Sequence, residues 1–261
     1  MTAIQRRLEE LDSTLFSGIP SQSSENDRRS LLACQVAVRR LEPAYRYLEI
    51  GSHLGGSIQP HLLDDACVRI YSLDRRPASQ PDARGPAFHY PENSTARMLD
   101  NLRRLAPESV AKVVCIDGDS RSIRPQAISD RPHLCFIDGE HTDRAVVADF
   151  HFSLAVLAPR GAIVFHDAEV VYNGIAESIA HLRQAGIPFR AYHLPDVLLV
   201  LEINDFPLHA SPHLLPMLID NHVGFLAALR ANDHYRRFAN RAPFHWLRRA
   251  RAWVARGSAR P

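Results

Sequence analysis

Lysine is almost missing from this 261-residue chain: Lys112 is the only one, and the other 30 basic residues are arginine. Cysteine is sparse as well. Cys34, Cys67, Cys115 and Cys135 stand far apart with no C-x-x-C pair. That spacing excludes a disulfide framework or zinc knuckle as the expectation and fits a reducing compartment. Cys115 and Cys135 lie inside apolar, strand-like runs, where a thiol packs as a small hydrophobe. No run approaches the roughly 18 apolar residues of a spanning helix. The opening residues Met1 to Arg7 lack the apolar core of a secretory signal, so a cytoplasmic protein is expected. P-loop and internal repeat are both absent. What remains is ordinary: 46% hydrophobic and 23% charged residues, which excludes a collagenous or disordered chain. The length suits one large α/β domain with additions.

The formal net charge of +2 conceals two opposite regions. From Arg230 to Pro261 there are nine arginines against one acid, Asp233, so this tail carries +8 and residues 1–229 carry −6. An acidic body ends in a basic appendage.

Two helical patterns come first, Ile4-Leu8-Leu11-Leu15 and Leu31-Cys34-Val38-Leu41, with a polar loop at Ser17–Ser24 between them. After Pro43 the pattern changes to short apolar runs: Tyr45–Ile50, Val68–Leu73, Ala111–Ile116, His133–Ile137, Ala162–Phe165, Phe189–His193 and Val197–Ile203. The first five are separated by crossover-length segments and several are apolar throughout, which predicts parallel strands covered on both faces. Only Leu194-Pro195-Asp196 separates the last two, so that pair is expected to be antiparallel. Between strands, Val146-Phe150-Leu154-Leu157 and Ile175-Ile179-Leu182 read as helices ended by Pro159 and Gly186. The proline-bearing segment Arg76–Asn93 reads as a long loop. The expected fold is α/β, a Rossmann-like doubly wound seven-stranded, mostly parallel sheet with an antiparallel last strand. Three segments are expected: N-terminal helices over 1–42, the sheet domain over 43–205, and a C-terminal helical extension with the arginine-rich tail over 206–261.

Chemistry concentrates at the strand ends. The first strand runs through Glu49 into the glycine turn Gly51-Ser52-His53-Leu54-Gly55-Gly56-Ser57. Glycines there let backbone approach a ligand at a strand's carboxyl end. Ser57 is placed to cap the helix that follows, turning its amides toward an anion. The second strand ends in Asp74, where an acid can accept ribose hydroxyls. The third leads into Asp117-Gly118-Asp119-Ser120, the fourth into Asp138-Gly139-Glu140-His141, and the fifth into His166-Asp167. Five successive strands thus present polar ends on the sheet edge where open α/β folds bind ligands.

From about Tyr45 to Ile203 the chain resembles class I S-adenosylmethionine-dependent methyltransferases. It is most similar to the bacterial family of macrolide-sugar O-methyltransferases and cephalosporin-hydroxylase-like proteins. The resemblance lies in LEIGSHLGGSI (48–58), SLDRR (72–76), GDS (118–120), FIDGEHTDRAVVADF (136–150) and LAPRGAIVFHD (157–167), and covers about 60% of the chain. It implies S-adenosylmethionine as cofactor. Glu49, Gly51 and Gly55 would shape the methionine end of the pocket. Ser52, His53 and Ser57 would be among the cofactor-binding residues of the same turn, His53 orienting the loop or facing substrate. Asp74 would hold the ribose, Asp119 and Ser120 the adenine, and Asp138 would lie beneath the sulfonium or among metal ligands.

Relatives hold a divalent ion on acids at the ends of strands four and five. Asp138 and Asp167 match those positions, so Mg2+ is the implied ion, but no third acid follows: His166 and Ala168 flank Asp167. His141 lies where a general base could reach a substrate hydroxyl, with Asp138 as its catalytic neighbour. Asp143 is expected to start the next helix, and Asp149 to pack or face solvent. The His209/His213 pair is interrupted by proline and is not expected to bind zinc. The expected activity is O-methylation of a small hydroxylated acceptor such as a sugar, glycan precursor or natural product. Alternatives are a hydroxylase-like enzyme on this scaffold, or a non-catalytic cofactor-binding scaffold protein.

In the tail, Phe244, Trp246, Leu247, Trp253 and Val254 alternate with Arg248, Arg249, Arg251 and Arg256. A basic, aromatic-anchored helix suits a membrane surface, docking on the body or a partner, or a homodimer interface. Nucleic acid is not an expected partner, because the body is acidic and no binding signature is present.

Overall fold

The structure is a computed structural model, and it describes residues 1–83, 85–239, 242–244 and 246–247. Contacts divide the chain into two units, Met1–His222 and Val223–Pro261.

In the larger unit, a seven-stranded sheet runs in the order β5-β2-β1-β6-β7-β9-β8. Its strands are β1 (Tyr45–Ile50), β2 (Cys67–Asp74), β5 (Val113–Asp117), β6 (Leu134–Ile137), β7 (Gly161–Phe165), β8 (Phe189–His193) and β9 (Leu199–Ile203). The seven apolar runs all become strands. Parallel pairing joins β5, β2, β1, β6 and β7, while β9 lies antiparallel to both β7 and β8. The last strand is therefore the antiparallel one, as its short connection requires. The chain winds one way from β1 to β2 and β5, then returns past β1 to β6 and β7. The crevice at that reversal is the usual ligand position in such sheets.

Local sequence explains the covering helices. Helices α1 (Ala3–Glu9) and α2 (Glu25–Leu41) each begin with a reciprocal capping box, Thr2/Gln5 and Ser24/Asp27. Leu8, Leu15 and Phe16 pack on Leu32 and Val36 of α2, and the other face of α2 buries Cys34, Ala37 and Val38 against the sheet core. Helix α3 (Gln59–Leu63) is short, and α4 (Thr95–Leu105) packs Met98 and Leu102 into the core. Thr142 caps α5 (Asp143–Val156). Asp143 sits at its first position, and its carboxylate accepts the Gly174 amide at 2.8 Å. This ties α5 to α6 (Tyr172–Gln184), where Gly174 allows close approach: a Cβ there would meet the Asp143 carbonyl at 2.7 Å.

Arg76–Asn93 is not simply a loop. It contains the antiparallel hairpin β3 (Ser79–Asp82) and β4 (Gly85–His89). Pro81 and Pro86 fall in its exposed two-stranded ribbon, where a lost ladder donor costs little, and the alternation is too weak to announce strands.

The smaller unit contains most of helix α7 (His222–Ala239), and Phe244, Trp246 and Leu247 are exposed. The remaining tail positions expected to form a basic face, Arg248 to Arg256, lie outside the described residues. Among the described residues no helix is long and apolar enough to cross a membrane.

Candidate active site

Register brings the carboxyl ends of the central strands level. Ile50 pairs with Leu73 and Ile137, Asp74 with Asp117, and Ile137 with Phe165. Above this edge lies a cleft enclosing about 930 Å³ of solvent-open space, within the usual size of small-molecule sites.

The glycine turn forms one wall. Gly51 has φ +94°, and a Cβ built on it would lie 2.1 Å from the Asp138 carbonyl oxygen. Only glycine permits β1 to hand over to the turn this close to the end of β6. Gly51, Ser52, His53 and Ser57 line the cleft. Gly55 does not: it faces Met98 and Leu102 of α4. Glu49 is also set back, fully buried beneath the turn. Its two carboxylate oxygens accept hydrogen bonds from the Tyr47 and Ser57 hydroxyls, both at 2.6 Å. Burial pushes its carboxyl up to about 7 against those bonds. Ser57 therefore does not cap a helix. The helix begins at Gln59 after Ile58, without a side-chain cap, because Glu49 holds the serine. Glu49 and Gly55 shape the turn from behind.

Arg76, which carried no assigned role in the sequence, holds the turn from below. Its side chain is 7% exposed. The guanidinium donates to the His53 carbonyl at 2.6 Å, to Asp74 Oδ2 at 3.2 Å, to Ser52 and Ser72 hydroxyls at 3.2 and 3.0 Å, and to Thr95 Oγ1 at 3.2 Å. Asp74 in turn accepts the His53 amide at 2.9 Å and the Arg76 amide at 2.7 Å. A planar five-donor fork suits this hub, which a point charge cannot replace.

At the opposite end, Asp119 and Ser120 line the cleft. Arg121 and Arg75 grip the Asp119 carboxylate at 2.5 and 3.2 Å. Hydrogen bonds from Arg121 hold it well below the ordinary carboxylate range. Asp149 is a correction. It neither faces solvent nor serves packing alone, but lines the cleft from α5 with its carboxyl buried beside Gly139 and bonded to Ser120. Burial pushes it up to about 7. A raised carboxyl pKa means the folded state keeps a proton that the unfolded chain loses near pH 4, so this contribution declines as pH rises from about 4 to 7. Relative to the parent protein, Asp149→Asn is expected to gain about 4 °C in Tm between pH 5 and 7.5 and to level off above, read from paired melting curves.

A cluster of imidazoles and carboxylates forms the floor beyond Gly139. His141 Nε2 lies 3.0 Å from Asp167 Oδ2 and 3.7 Å from Asp138 Oδ1, while its Nδ1 faces Asp82 Oδ2 of the hairpin at 3.0 Å. His166 Nδ1 lies 3.1 Å from Asp138 and 3.3 Å from Asp167, and its Nε2 lies 3.6 Å from Asp27 of α2. These His166 contacts are ion-pair approaches without hydrogen-bond alignment. Burial opposes charge on both rings. Their acidic partners outweigh it, pushing His141 up to about 10 and His166 well above its ordinary value. As a free general base His141 is therefore poorly suited: with carboxylates on both ring nitrogens it already holds its protons.

Asp138, His141 and Asp167, the residues assigned from sequence, do converge, with Asp138 and His141 at the cleft wall and Asp167 buried behind. Asp27, Asp82 and His166 complete the cluster. Asp27 was readable only as a capping residue, and Asp82 lay in a segment whose hairpin was not foreseen. By contrast, His209 and His213 have separate partners, Glu202 and the Glu9 carbonyl.

Residues 48–168 match the family model described as a methyltransferase domain. That match makes this segment similar to a methyltransferase domain. It covers β1 to β7 and every wall of the cleft except the N-terminal segment Pro20–Ser23. No curated protein matches the chain. Solved structures share its fold at low identity. A cofactor-bound protein, Rv0187 from MTB, aligns at 14% identity over 78% of this chain and 90% of its own, with a TM-score of 0.51. The O-methyltransferase TomG from Streptomyces achromogenes, involved in tomaymycin synthesis and solved with SAM, aligns at 14% identity over 78% and 91%, with a TM-score of 0.50. CalS11, a calicheamicin methyltransferase, aligns at 14% over 76% and 91%, also at 0.50. At such identity these likenesses concern the methyltransferase fold alone.

Proposed function

We propose that this protein transfers the methyl group of S-adenosylmethionine to a hydroxyl oxygen of a small polar acceptor. One observation carries the reading: a methyltransferase domain gathers its glycine turn, Asp74 and the Asp119-Ser120 pair around a single cleft. The backbone of Gly51 to His53 would receive the methionine end. Asp74 Oδ1 carries one amide donor and keeps acceptor capacity for a ribose hydroxyl. Ser120 and Asp149 would face the adenine. TomG, solved with SAM and named an O-methyltransferase, supports the same cofactor and accepting atom.

Methyl transfer breaks the sulfur–carbon bond as the oxygen–carbon bond forms in line, and the acceptor hydroxyl loses its proton. Most of the rate would come from holding donor and acceptor in that line. Asp138, at the floor between turn and cluster, would accept the hydroxyl's hydrogen bond and its proton. His141 would stand behind it as a charged or coordinating group. A divalent ion, when held by Asp138 and Asp167, supplies Lewis-acid polarisation of the hydroxyl.

Incubating the full chain with methyl-labelled S-adenosylmethionine and a panel of sugars, nucleoside-diphosphate sugars and phenols tests the reading. Label is expected in an ether product. Asp138→Asn is expected to lower kcat about 10²-fold, with cofactor affinity changed less than tenfold. Label transferred to nitrogen or carbon acceptors only would overturn the hydroxyl assignment.

A further inference from the structure

We propose that cofactor binding in this cleft is coupled to a proton held on Asp149. The protonated carboxyl pairs with the adenine ring, donating its O–H to a ring nitrogen and accepting from the 6-amino group. The ionised carboxylate has no proton to give and cannot make that pair. This deepens the reading above and rests on it.

Placement comes first. Asp149 is 6% exposed yet lines the cleft from α5, one turn after Ala145, which lines the same wall. Positions four apart share a helix face, so a small methyl and a carboxyl are presented together to a flat base. Gly139 leaves the carboxyl its path, since a Cβ there would stand 3.2 Å from Asp149 Oδ2. Ser120 hydrogen-bonds the same carboxyl at the adenine end of the cleft.

Asp119, assigned to adenine from the sequence, is already taken. One of its oxygens accepts the Arg121 amide at 2.9 Å and Arg121 Nε at 2.8 Å. The other accepts from the Arg121 and Arg75 guanidinium groups. With both oxygens filled, reading the base falls to Asp149 and Ser120.

The proton follows from the surroundings. The charged groups that face Asp149 are Asp119 and Arg121, which follow β5, and Glu140, which follows β6. Arg121 grips Asp119 instead, and Arg75 spans Asp119 and Glu140 at 3.2 and 3.4 Å. A buried site flanked by two acids disfavours a third negative charge. Burial, reinforced by Asp119 and Glu140, pushes Asp149 up to about 7. A protonated carboxyl offers a donor beside an acceptor. A carboxamide uses the same arrangement to read the 6-amino group and neighbouring ring nitrogen of adenine. Below pH 7 most chains therefore hold the pairing form. At pH 8.5 only about one in 30 does, and the apparent Kd rises as that fraction falls.

The test is calorimetric titration of the full chain and of Asp149→Asn with S-adenosylhomocysteine at pH 6.0 and 8.5. Other groups on protein and ligand titrate in both proteins, so the ratio of the two Kd values isolates residue 149. The parent-to-variant ratio is expected to rise at least about tenfold between those pH values, because a carboxamide keeps its donor at both. Asp149→Ala, shown folded by its melting curve, is expected to bind at least about tenfold more weakly than the parent protein at pH 6.0. A second measurement leaves the protein untouched. At pH 6.0 either 1-deazaadenosine or 7-deazaadenosine, each lacking one ring nitrogen, should compete at least about tenfold less well than adenosine. A ratio steady within about twofold, Asp149→Ala binding like the parent protein, or both deaza compounds competing like adenosine would overturn the proposal. Each of those results leaves S-adenosylhomocysteine bound and the proposed function standing. No binding to the parent protein at either pH overturns both.

Discussion

Gly51→Ala is expected to destroy cofactor binding and to destabilise the protein by at least about 3 kcal/mol. A methyl group at position 51 would lie 2.1 Å from a backbone oxygen and 2.5 Å from the carbonyl carbon of Asp138, and no rotamer relieves a Cβ clash. The neighbour is main chain at the end of β6, so it can move only by separating the strands β1 and β6. Left-handed φ at residue 51 adds its own cost for any L side chain. Function suffers twice, because the displaced segment is both the turn and the start of the Asp138-to-His141 loop. The check is a melting curve with a cofactor titration, and Gly85→Ala is the control. A Cβ there meets nothing within 4 Å, so that substitution should be silent in both measurements.

Arg76→Ala is expected to cost about 3–5 kcal/mol, the range for removing one partner of a buried, hydrogen-bonded pair, which lowers Tm by roughly 6–20 °C. Its guanidinium is 7% exposed, so solvent screening offers little relief. Removal leaves Asp74, the Ser52 and Ser72 hydroxyls and the His53 carbonyl without the donor that joins them. Arg76→Lys should recover little, because an ammonium cannot reach the turn, β2 and Thr95 together. A Tm within 2 °C of the parent protein for either variant would show that the turn is held by other means; that margin is about the shift from 1 kcal/mol at this chain length.

Much of this architecture was legible because apolar runs and their spacing are physical requirements of a buried parallel sheet. The three-residue gap before Val197 foretold the antiparallel β9; Gly51 was expected to admit a ligand, and the close approach at that position is to the Asp138 backbone. Two kinds of information were not local. Asp27 reads as the third residue of a capping box, which it is, and only the packing of α2 on the strand ends brings it to His166. Asp82 sits in a proline-bearing ribbon with no buried face, so periodicity was silent about the hairpin that carries it to His141. Asp149 misled for a related reason. An acid on an amphipathic helix ordinarily marks the wet face, yet α5 is buried along much of both sides, leaving the carboxyl at the cleft. His141 drew attention through its place after Asp138, but its role as a base presumed a free nitrogen. The carboxylates on both sides of the ring, from three different elements, change that chemistry, and none of those distances is written in sequence spacing.

The central claim is that the cleft at the sheet's reversal point holds S-adenosylmethionine. Calorimetric titration of the full chain with this compound tests it most directly. The account predicts one saturable site per chain, with a Kd between about 1 μM and 1 mM, weakened at least tenfold in Asp74→Ala. Absence of binding at millimolar S-adenosylmethionine by well-folded protein would contradict it.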